Sequence, residues 1–235
     1  NGVSLVTGDI LDYDLLLKSM ANHDFVIHLA AQTNILQSIT DPETTIDIIV
    51  EGTVNVLKSC VKTNVKGLVS TSSAAVYGNS PDAPISENSQ LSPVSSYGAS
   101  KLVTEYNLQA FSRSFGLNCI SLRLFNVYGN GQSSETDVIR KFLKNISKDM
   151  PLEIFGDGTQ TRDFVHVSDV IQAFSCAIKN IEAKCGEVYN IGSGKATSIN
   201  ELASLLISSK GKDLQIIHKP VLEGEIKDSK ADISL

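Results

Sequence analysis

A tyrosine and a lysine four residues apart are the first residues of this sequence whose types and spacing suit chemistry. Tyr97 and Lys101 lie in residues 96–115, where the spacing of apolar side chains predicts a helix. Positions i and i+4 share one face of a helix, so the ammonium is expected near the phenol. A phenol with a pKa of about 10 is a weak base at neutral pH, and an adjacent cation favours its ionised form. The pair suits proton transfer, but an amphipathic surface helix gives the same spacing by chance.

A cluster of hydroxyl side chains follows an apolar run further upstream. Residues 65–70 predict a strand, and Ser70, Thr71, Ser72 and Ser73 close it. In an open α/β sheet, ligands bind at the carboxyl ends of the strands. Ser73 is therefore a candidate to hydrogen-bond the same substrate hydroxyl as Tyr97, although a serine run is also ordinary turn chemistry.

These residues need a scaffold, and the pattern of short apolar runs and longer helical segments indicates one. Strands that are apolar throughout and alternate with helices are typical of a parallel sheet covered on both faces, so the fold class is α/β. The predicted strands are residues 3–6, 25–29, 65–70 and 119–125, and the predicted helices are residues 11–20, 44–61 and 96–115.

The texture of the chain changes after about residue 128. Gly129-Asn130-Gly131 and Gly156-Asp157-Gly158 are turn signals, and the elements around them are shorter. We expect two parts, residues 1–128 as the sheet domain and 129–235 as mainly a small α/β lobe, with some elements returning to the sheet. The predicted elements here are helices 137–148, 168–181 and 199–208, and strands 152–155, 188–191 and 214–217.

Composition excludes several classes of protein. The chain has 235 residues, 42% of them hydrophobic and 20% charged, as in an ordinary globular protein. A net charge of −6 argues against a nucleic-acid partner. No apolar run approaches the roughly 18 to 20 residues of a membrane span, so no membrane partner is expected. The four cysteines lack the paired spacing of a zinc site or redox motif, and we predict no metal.

Seven short motifs recur along the chain in a characteristic order: Gly8-Asp9-Ile10, His28-Leu29-Ala30-Ala31, Ser72 to Gly78, Tyr97-Gly98-Ala99-Ser100-Lys101, Arg123 to Gly129, Phe155 to Phe164 and Asn190 to Gly194. Taken in this order, they resemble the extended short-chain dehydrogenase/reductase family, and most closely its nucleotide-sugar 4-epimerase branch. The resemblance implies a Rossmann-like doubly wound parallel sheet, NAD as cofactor, a nucleotide-diphosphate sugar as substrate, a homodimer and a cytoplasmic location.

The same resemblance implies roles for individual residues. Tyr97 would be the catalytic acid and base, Lys101 its activator and a ribose ligand, and Ser73 the partner of the substrate hydroxyl. Arg162 would hold the diphosphate of the sugar nucleotide, although a salt bridge to Asp163 or Asp169 is the simpler alternative. The implied cofactor-binding residues are Asp9, Ile10, Leu29, Ala30, Ala31, Thr71, Tyr97, Lys101 and Phe125. The implied substrate-binding residues are Ser73, Asn126, Glu153, Phe155, Arg162 and Ser229.

The implied reaction is epimerisation at carbon 4 of UDP-glucose, UDP-galactose or their N-acetylhexosamine analogues. Tyr97 would take the proton of the 4-hydroxyl while NAD accepts the hydride and later returns it to the other face of the sugar. Ser229, at a position that resembles a gatekeeper beside the hexose, would leave room for an acetamido group. Two alternatives stay open: an NAD(P)-dependent reductase or dehydrogenase of the same family, and a non-catalytic nucleotide-sugar sensor.

Departures from the family pattern narrow the expectation. Ala74 and Ala75 stand where the related dehydratases carry an acid pair, which disfavours removal of water. Ile49 replaces an asparagine of the long helix, so one polar contact behind the cofactor is expected to be lost. Residues 222–225 stand where many relatives have Arg-x-Gly-Asp, and Lys219 or Lys227 would have to supply the lost positive charge.

The family's opening strand, glycine-rich turn and helix have no counterpart in this sequence. Residues 3–6 would be the third strand of the doubly wound sheet and residues 25–29 the fourth, and these two are not neighbours. We expect the complete polypeptide to carry roughly fifty more N-terminal residues, and these 235 alone to bind NAD poorly or to aggregate. Gly192-Ser193-Gly194-Lys195 lacks the spacing of a phosphate-binding loop, and we interpret it as an ordinary loop.

Overall fold

The computed structural model describes residues 2–131, 137–221 and 226–235. Its helices are α1 (Tyr13–Met20), α2 (Ile35–Thr40), α3 (Pro42–Ile46), α4 (Gly52–Thr63), α5 (Ser96–Phe115), α6 (Val138–Ser147), α7 (Val167–Lys179) and α8 (Ile199–Ser209). Its strands are β1 (Phe25–His28), β2 (Gly67–Ser73), β3 (Cys119–Leu124), β4 (Asn126–Tyr128), β5 (Leu152–Phe155), β6 (Thr161–Arg162), β7 (Phe164–His166), β8 (Val188–Ile191), β9 (Thr197–Ser198) and β10 (Ile216–Lys219).

A four-stranded parallel sheet in the order β1-β2-β3-β8 forms the centre of the molecule. Its middle strands are buried on both faces, which explains their uninterrupted apolar sequences. Leu68 packs with Leu57 and Leu108, from α4 and α5, on one face. Val69 packs with Phe174 of α7 on the other. The predicted α/β fold with a covered parallel sheet is confirmed.

A second group of elements builds a smaller core after residue 128. Strands β5 and β10 pair in parallel, and helices α6 and α8 cover them. Phe142, Leu152 and Leu202 lie in this core. Two short pairings, β4 with β7 and β6 with β9, also involve these later residues. The proposed division at residue 128 stays a prediction, and β8 shows that later residues also contribute to the central sheet.

The structure corrects several predicted elements. Residues 3–6 are not a strand: Val3 and Leu5 are 96 and 92% exposed, and nothing in the described part of the chain pairs with them. Apolar alternation is not enough, because a strand also needs a hydrogen-bonded neighbour. The predicted helix 44–61 consists of α3, a π-helical turn over Asp47–Glu51, and α4. Helix α2 was not predicted.

The first turn of α5 is held tightly against the residues that follow β2. The hydroxyl of Ser95 caps the helix by accepting from the backbone N–H of Gly98 at 3.1 Å. A Cβ at Gly98 would lie 2.6 Å from the carbonyl oxygen of Ala75, so only glycine permits this approach. The close contact brings Tyr97 to the carboxyl end of β2.

Over the ranges that the structure describes, no helix has the length and apolar character needed to cross a membrane.

Candidate functional site

A cavity of about 290 Å³ lies at the carboxyl ends of the central strands. This is where an open parallel sheet is expected to bind its ligand. Five residues with predicted roles line it together, from four separate parts of the chain: Ser73, Phe125, Asn126, Arg162 and Ser229. The structure therefore assembles most of the predicted substrate-binding set around one space.

Tyr97 lies beside this cavity and close to the side chain of Ser73. Burial raises the pKa of Tyr97, and the hydrogen bond with Ser73 lowers it in part. Burial thus disfavours the phenolate that base catalysis needs, and the expected activation of this phenol by Lys101 stays a prediction. The phenol lies beside a hydroxyl that lines the cavity.

Lys101 lies one helical turn further along α5 and is buried. Its Nζ donates to the carbonyl oxygen of Thr71 at 2.9 Å and contacts the Thr71 hydroxyl at 3.5 Å. Burial lowers the pKa of Lys101 to about 8, while the carboxylate of Glu105 raises it in part. His28, whose Nε2 lies 3.0 Å from the hydroxyl of Thr53, has its pKa lowered to about 4 by burial and by Lys101. At neutral pH the histidine is uncharged and Lys101 carries the positive charge.

Several buried polar groups at the carboxyl edge of the sheet have fewer hydrogen-bond partners among the described residues than they could accept or donate to. Gln32 Oε1, after β1, and Ser72 Oγ, in β2, are buried and have no hydrogen-bond partner within the described part of the chain. Lys101 has three N–H donors, and the acceptors found for it there both belong to Thr71. A hydroxyl-rich, polar molecule such as a dinucleotide fits this edge, because it can satisfy these groups.

The other predicted cofactor residues lie on two loops. Leu29, Ala30 and Ala31 follow β1 directly, and Leu29 and Ala30 are exposed. Asp9 is exposed and its Oδ1 accepts from the backbone N–H of Leu11 at 2.9 Å. Ile10 packs closely on the first residue of α4, where a Cβ in place of the Gly52 hydrogen would collide with its Cδ1. These residues are placed to border the edge of the sheet, and their roles stay predictions.

Two predicted substrate residues do not line the cavity. Glu153 and Phe155 lie on β5, both exposed, and the carboxylate of Glu153 pairs with Lys219 Nζ at 3.1 Å. Lys219, one of the two lysines expected to replace a missing arginine, is thus held by Glu153. The Arg-x-Gly-Asp counterpart, residues 222–225, lies outside the described residues. Arg162 lines the cavity and its Nη1 donates to the carbonyl oxygen of Thr161 at 2.8 Å.

Sequence reasoning missed the buried carboxylate that closes the site. Asp163 is fully buried and accepts from the backbone N–H groups of Ser193 at 2.6 Å, Gly194 at 2.9 Å and Ala231 at 3.1 Å. The loop containing Ser193 and Gly194 therefore binds a carboxylate of the chain itself, as expected for a loop that is not a phosphate cradle. Because Ala231 lies two residues after Ser229, this anchor holds Ser229 in the cavity wall. The sequence signal that could have pointed to Asp163 is its position directly after the candidate arginine, in the motif Arg162-Asp163-Phe164.

A second missed group fixes α5 to the sheet. The guanidinium of Arg123 binds both carboxylate oxygens of Glu105, at 2.9 and 2.7 Å, and donates to the hydroxyl of Tyr77 at 2.8 Å. The Tyr77 hydroxyl in turn donates to Asn190 Oδ1 at 2.7 Å. All four side chains are buried. The network connects α5, β3, β8 and the turn after β2, which are the elements that carry the site.

Over the described ranges, no group of three or more histidine, cysteine or acidic residues could hold a metal ion.

Comparison with known proteins supports the resemblance found in the sequence. The model of the NAD dependent epimerase/dehydratase family matches residues 1–192. The chain is 40% identical over 227 residues to a putative UDP-glucose 4-epimerase of Methanocaldococcus jannaschii, covering 94% of the chain and 72% of that relative. It is 34% identical over 232 residues to a UDP-glucose 4-epimerase of Mycolicibacterium smegmatis, with 97 and 73% covered.

The fold gives the same result. A solved UDP-N-acetylglucosamine 4-epimerase from Methanobrevibacter ruminantium, in complex with UDP-N-acetylmuramic acid, superposes with a TM-score of 0.92 at 33% identity. The match covers 98% of this chain and 74% of that one. Since the family model matches residues 1–192, and since two relatives at 40 and 34% identity are covered over more than two thirds of their length, the chain belongs to the NAD dependent epimerase/dehydratase family.

Proposed function

We propose that the protein catalyses the epimerisation of a UDP-linked hexose at carbon 4. The observation that carries the proposal is the placement of Ser73 in the cavity wall beside Tyr97, with the buried cation of Lys101 one turn further along α5. The names of the relatives, UDP-glucose 4-epimerase and UDP-N-acetylglucosamine 4-epimerase, support the same activity.

The chain's residues divide the work of proton transfer. Tyr97 takes the proton of the 4-hydroxyl, and Ser73 holds that hydroxyl in place by hydrogen bonding. NAD, when bound, accepts the hydride from carbon 4 and returns it. Lys101 and Thr71 would hold the ribose of this cofactor, and the positive charge of Lys101 favours the ionised form of Tyr97. Because the hydride returns to carbon 4 and the proton returns to the oxygen on that carbon, the reaction consumes no cofactor.

The cavity also supports the choice of epimerisation over dehydration. Ala74 and Ala75 line it, and no aspartate or glutamate is found among its described lining residues. Loss of water needs a further acid and base, which this lining does not supply. Arg162 is placed to neutralise the diphosphate, since a guanidinium binds phosphate oxygens in pairs. Ser229 is small and leaves room for an acetamido group on the hexose.

Exposed apolar side chains on two helices support a proposal for the assembly of the protein. We propose a homodimer through the helices that cover residues 44–61 and 96–115, where Ile46, Val103 and Tyr106 are 45, 43 and 55% exposed. We also propose that residues 1–128 bind NAD and that 129–235 bind mainly the sugar nucleotide. The cytoplasmic location stays a prediction.

The test incubates the intact protein with NAD and UDP-glucose and follows UDP-galactose by NMR, with absorbance of NADH recorded in parallel. We expect conversion without accumulating NADH, and loss of conversion in Tyr97→Phe. Tyr13→Phe, at a partly exposed tyrosine on α1 that does not line the cavity, is the matched control and should retain activity. Accumulating NADH would favour a dehydrogenase. Normal biological activity of Tyr97→Phe would favour a sensor.

A further inference from the structure

One wall of the cavity is made of apolar side chains alone. Helix α2 contributes Ile35, Leu36 and Ile39 to the lining. Each is about half exposed or more, and Leu36 reaches 62%. A single exposed apolar side chain needs no explanation, but three on one short helix facing the same cleft form a patch. We call these three residues the α2 wall.

The hydroxyl groups of α2 are satisfied within the helix. The hydroxyl of Ser38 donates to the carbonyl oxygen of Ile35 at 2.6 Å, and that of Thr40 to the carbonyl oxygen of Gln37 at 3.2 Å. The side chain of Asn34 caps the helix by accepting from the backbone N–H of Gln37 at 3.1 Å. None of the side chains of Asn34, Ser38 and Thr40 lines the cavity. A sugar hydroxyl placed against the α2 wall would lose water and gain no partner there.

The α2 wall shares its cavity with Ser73 and with a single charged side chain among the described lining residues. Helix α2 packs against α5, which carries Tyr97, and Val94, just before α5, adds another apolar side chain to the lining. Among the described lining residues the one ionised side chain is Arg162, from β6. Because the proposed function assigns Arg162 to the diphosphate, a carboxylate held against the α2 wall would be desolvated without a cation of its own.

We propose that the α2 wall is an apolar subsite that takes a methyl-bearing, uncharged substituent of the substrate sugar. The chemistry fits either the methyl of an acetamido group or the methyl at carbon 6 of a 6-deoxyhexose. It disfavours a hexuronic acid, whose carbon 6 carries a carboxylate. This inference rests on the proposed epimerase function and specifies its substrate class.

The test compares kcat/KM of the intact, NAD-loaded protein on four substrates: UDP-glucose, UDP-N-acetylglucosamine, UDP-6-deoxyglucose and UDP-glucuronate. We expect at least one methyl-bearing sugar to be preferred over UDP-glucose by about tenfold or more, as for an added methylene group in an apolar pocket. The preferred substrate identifies whether the acetamido or the carbon-6 methyl is bound. UDP-glucuronate should be the poorest substrate.

Leu36→Gln tests the wall itself, because it adds an amide at an exposed position and changes helix propensity little. The preference for the methyl-bearing sugar should fall by about tenfold in this variant. Leu205→Gln, at an equally exposed leucine on α8 outside the cavity, should keep the wild-type preference. Turnover of UDP-glucose without a methyl preference, or a preference that Leu36→Gln leaves unchanged, would overturn the subsite while the epimerase function stands. If none of the four sugars is converted, the proposed function fails and the subsite fails with it.

Discussion

Removing the buried charge of Lys101 should make the protein more stable while it abolishes activity. Lys101 is 5% exposed, and burial brings its pKa from the ordinary 10.5 to about 8. Each pKa unit corresponds to about 1.4 kcal/mol, so keeping this lysine charged at neutral pH costs about 3 kcal/mol. Lys101→Met removes that cost and loses a hydrogen bond to Thr71, worth about 1 kcal/mol. We expect the free energy of unfolding to rise by about 2 kcal/mol at pH 7.

The pH dependence gives the sharper measurement. Between about pH 8 and 10.5 the unfolded chain keeps its proton on Lys101 and the folded protein has lost it, so wild-type stability rises with pH through this window. The variant has no such group, and its advantage should therefore shrink as the pH rises from 7 to 10. Urea unfolding of both proteins at pH 7, 8.5 and 10 measures the difference, and effects of other titrating groups cancel.

Lys141→Met, an exposed lysine on α6, is the matched control and should change stability little at any of these pH values. A Lys101→Met variant that is less stable than the wild type at pH 7, with a stability difference independent of pH, would show that the lysine is not held at a depressed pKa. The reasoning from burial would then be wrong.

Three other perturbations test separate parts of the structure. Ser73→Ala should lower kcat/KM. It should also shift to higher pH the increase in kcat/KM that accompanies ionisation of Tyr97, because Ser73 lowers the raised pKa of this phenol. A pH profile of kcat/KM measures both effects. Glu105→Ala should lower the free energy of unfolding by about 3 to 5 kcal/mol, because it leaves the guanidinium of Arg123 buried without its carboxylate. An unchanged midpoint of urea unfolding would contradict this. Ile27→Lys, on an exposed apolar face of β1, should reduce light scattering in concentrated solutions, and equal scattering would mean that this face does not drive association.

The sequence predicted the scaffold well wherever a segment is buried by its own neighbours. Strands β2 and β3 are apolar because helices cover both faces, and this pattern is visible without a structure. Residues 3–6 show the limit, since their apolar pattern is strand-like while no partner strand lies beside them in the described chain. Helix α2 shows the opposite error. It has six residues, two of them β-branched isoleucines, and its clearest signal is the capping residue Asn34.

The sequence motifs predicted the residues of the site. They did not predict the hydrogen bonds that hold Ser229 in the cavity wall. Ser73 and Tyr97 could be related through one helix and one strand end, because both are local features of the chain. The approach of Ser229 to the same cavity depends on Asp163, whose carboxylate is satisfied by backbone groups 30 or more residues away. Hydrogen bonds to backbone N–H groups leave no mark on the residue types of their donors. That contact could therefore be found only in three dimensions.

Helix α5 carries polar residues at positions that face the sheet. Tyr97, Lys101 and Glu105 are spaced at i, i+4 and i+8, so a phenol, an ammonium and a carboxylate form one polar stripe on the side facing the sheet. The carboxylate is needed twice, because it pairs with Arg123 and partly restores the pKa of Lys101. A helix that served only the core would place apolar side chains at these positions. The stability lost by burying the charge of Lys101 is what keeps a cation one helical turn from the phenol.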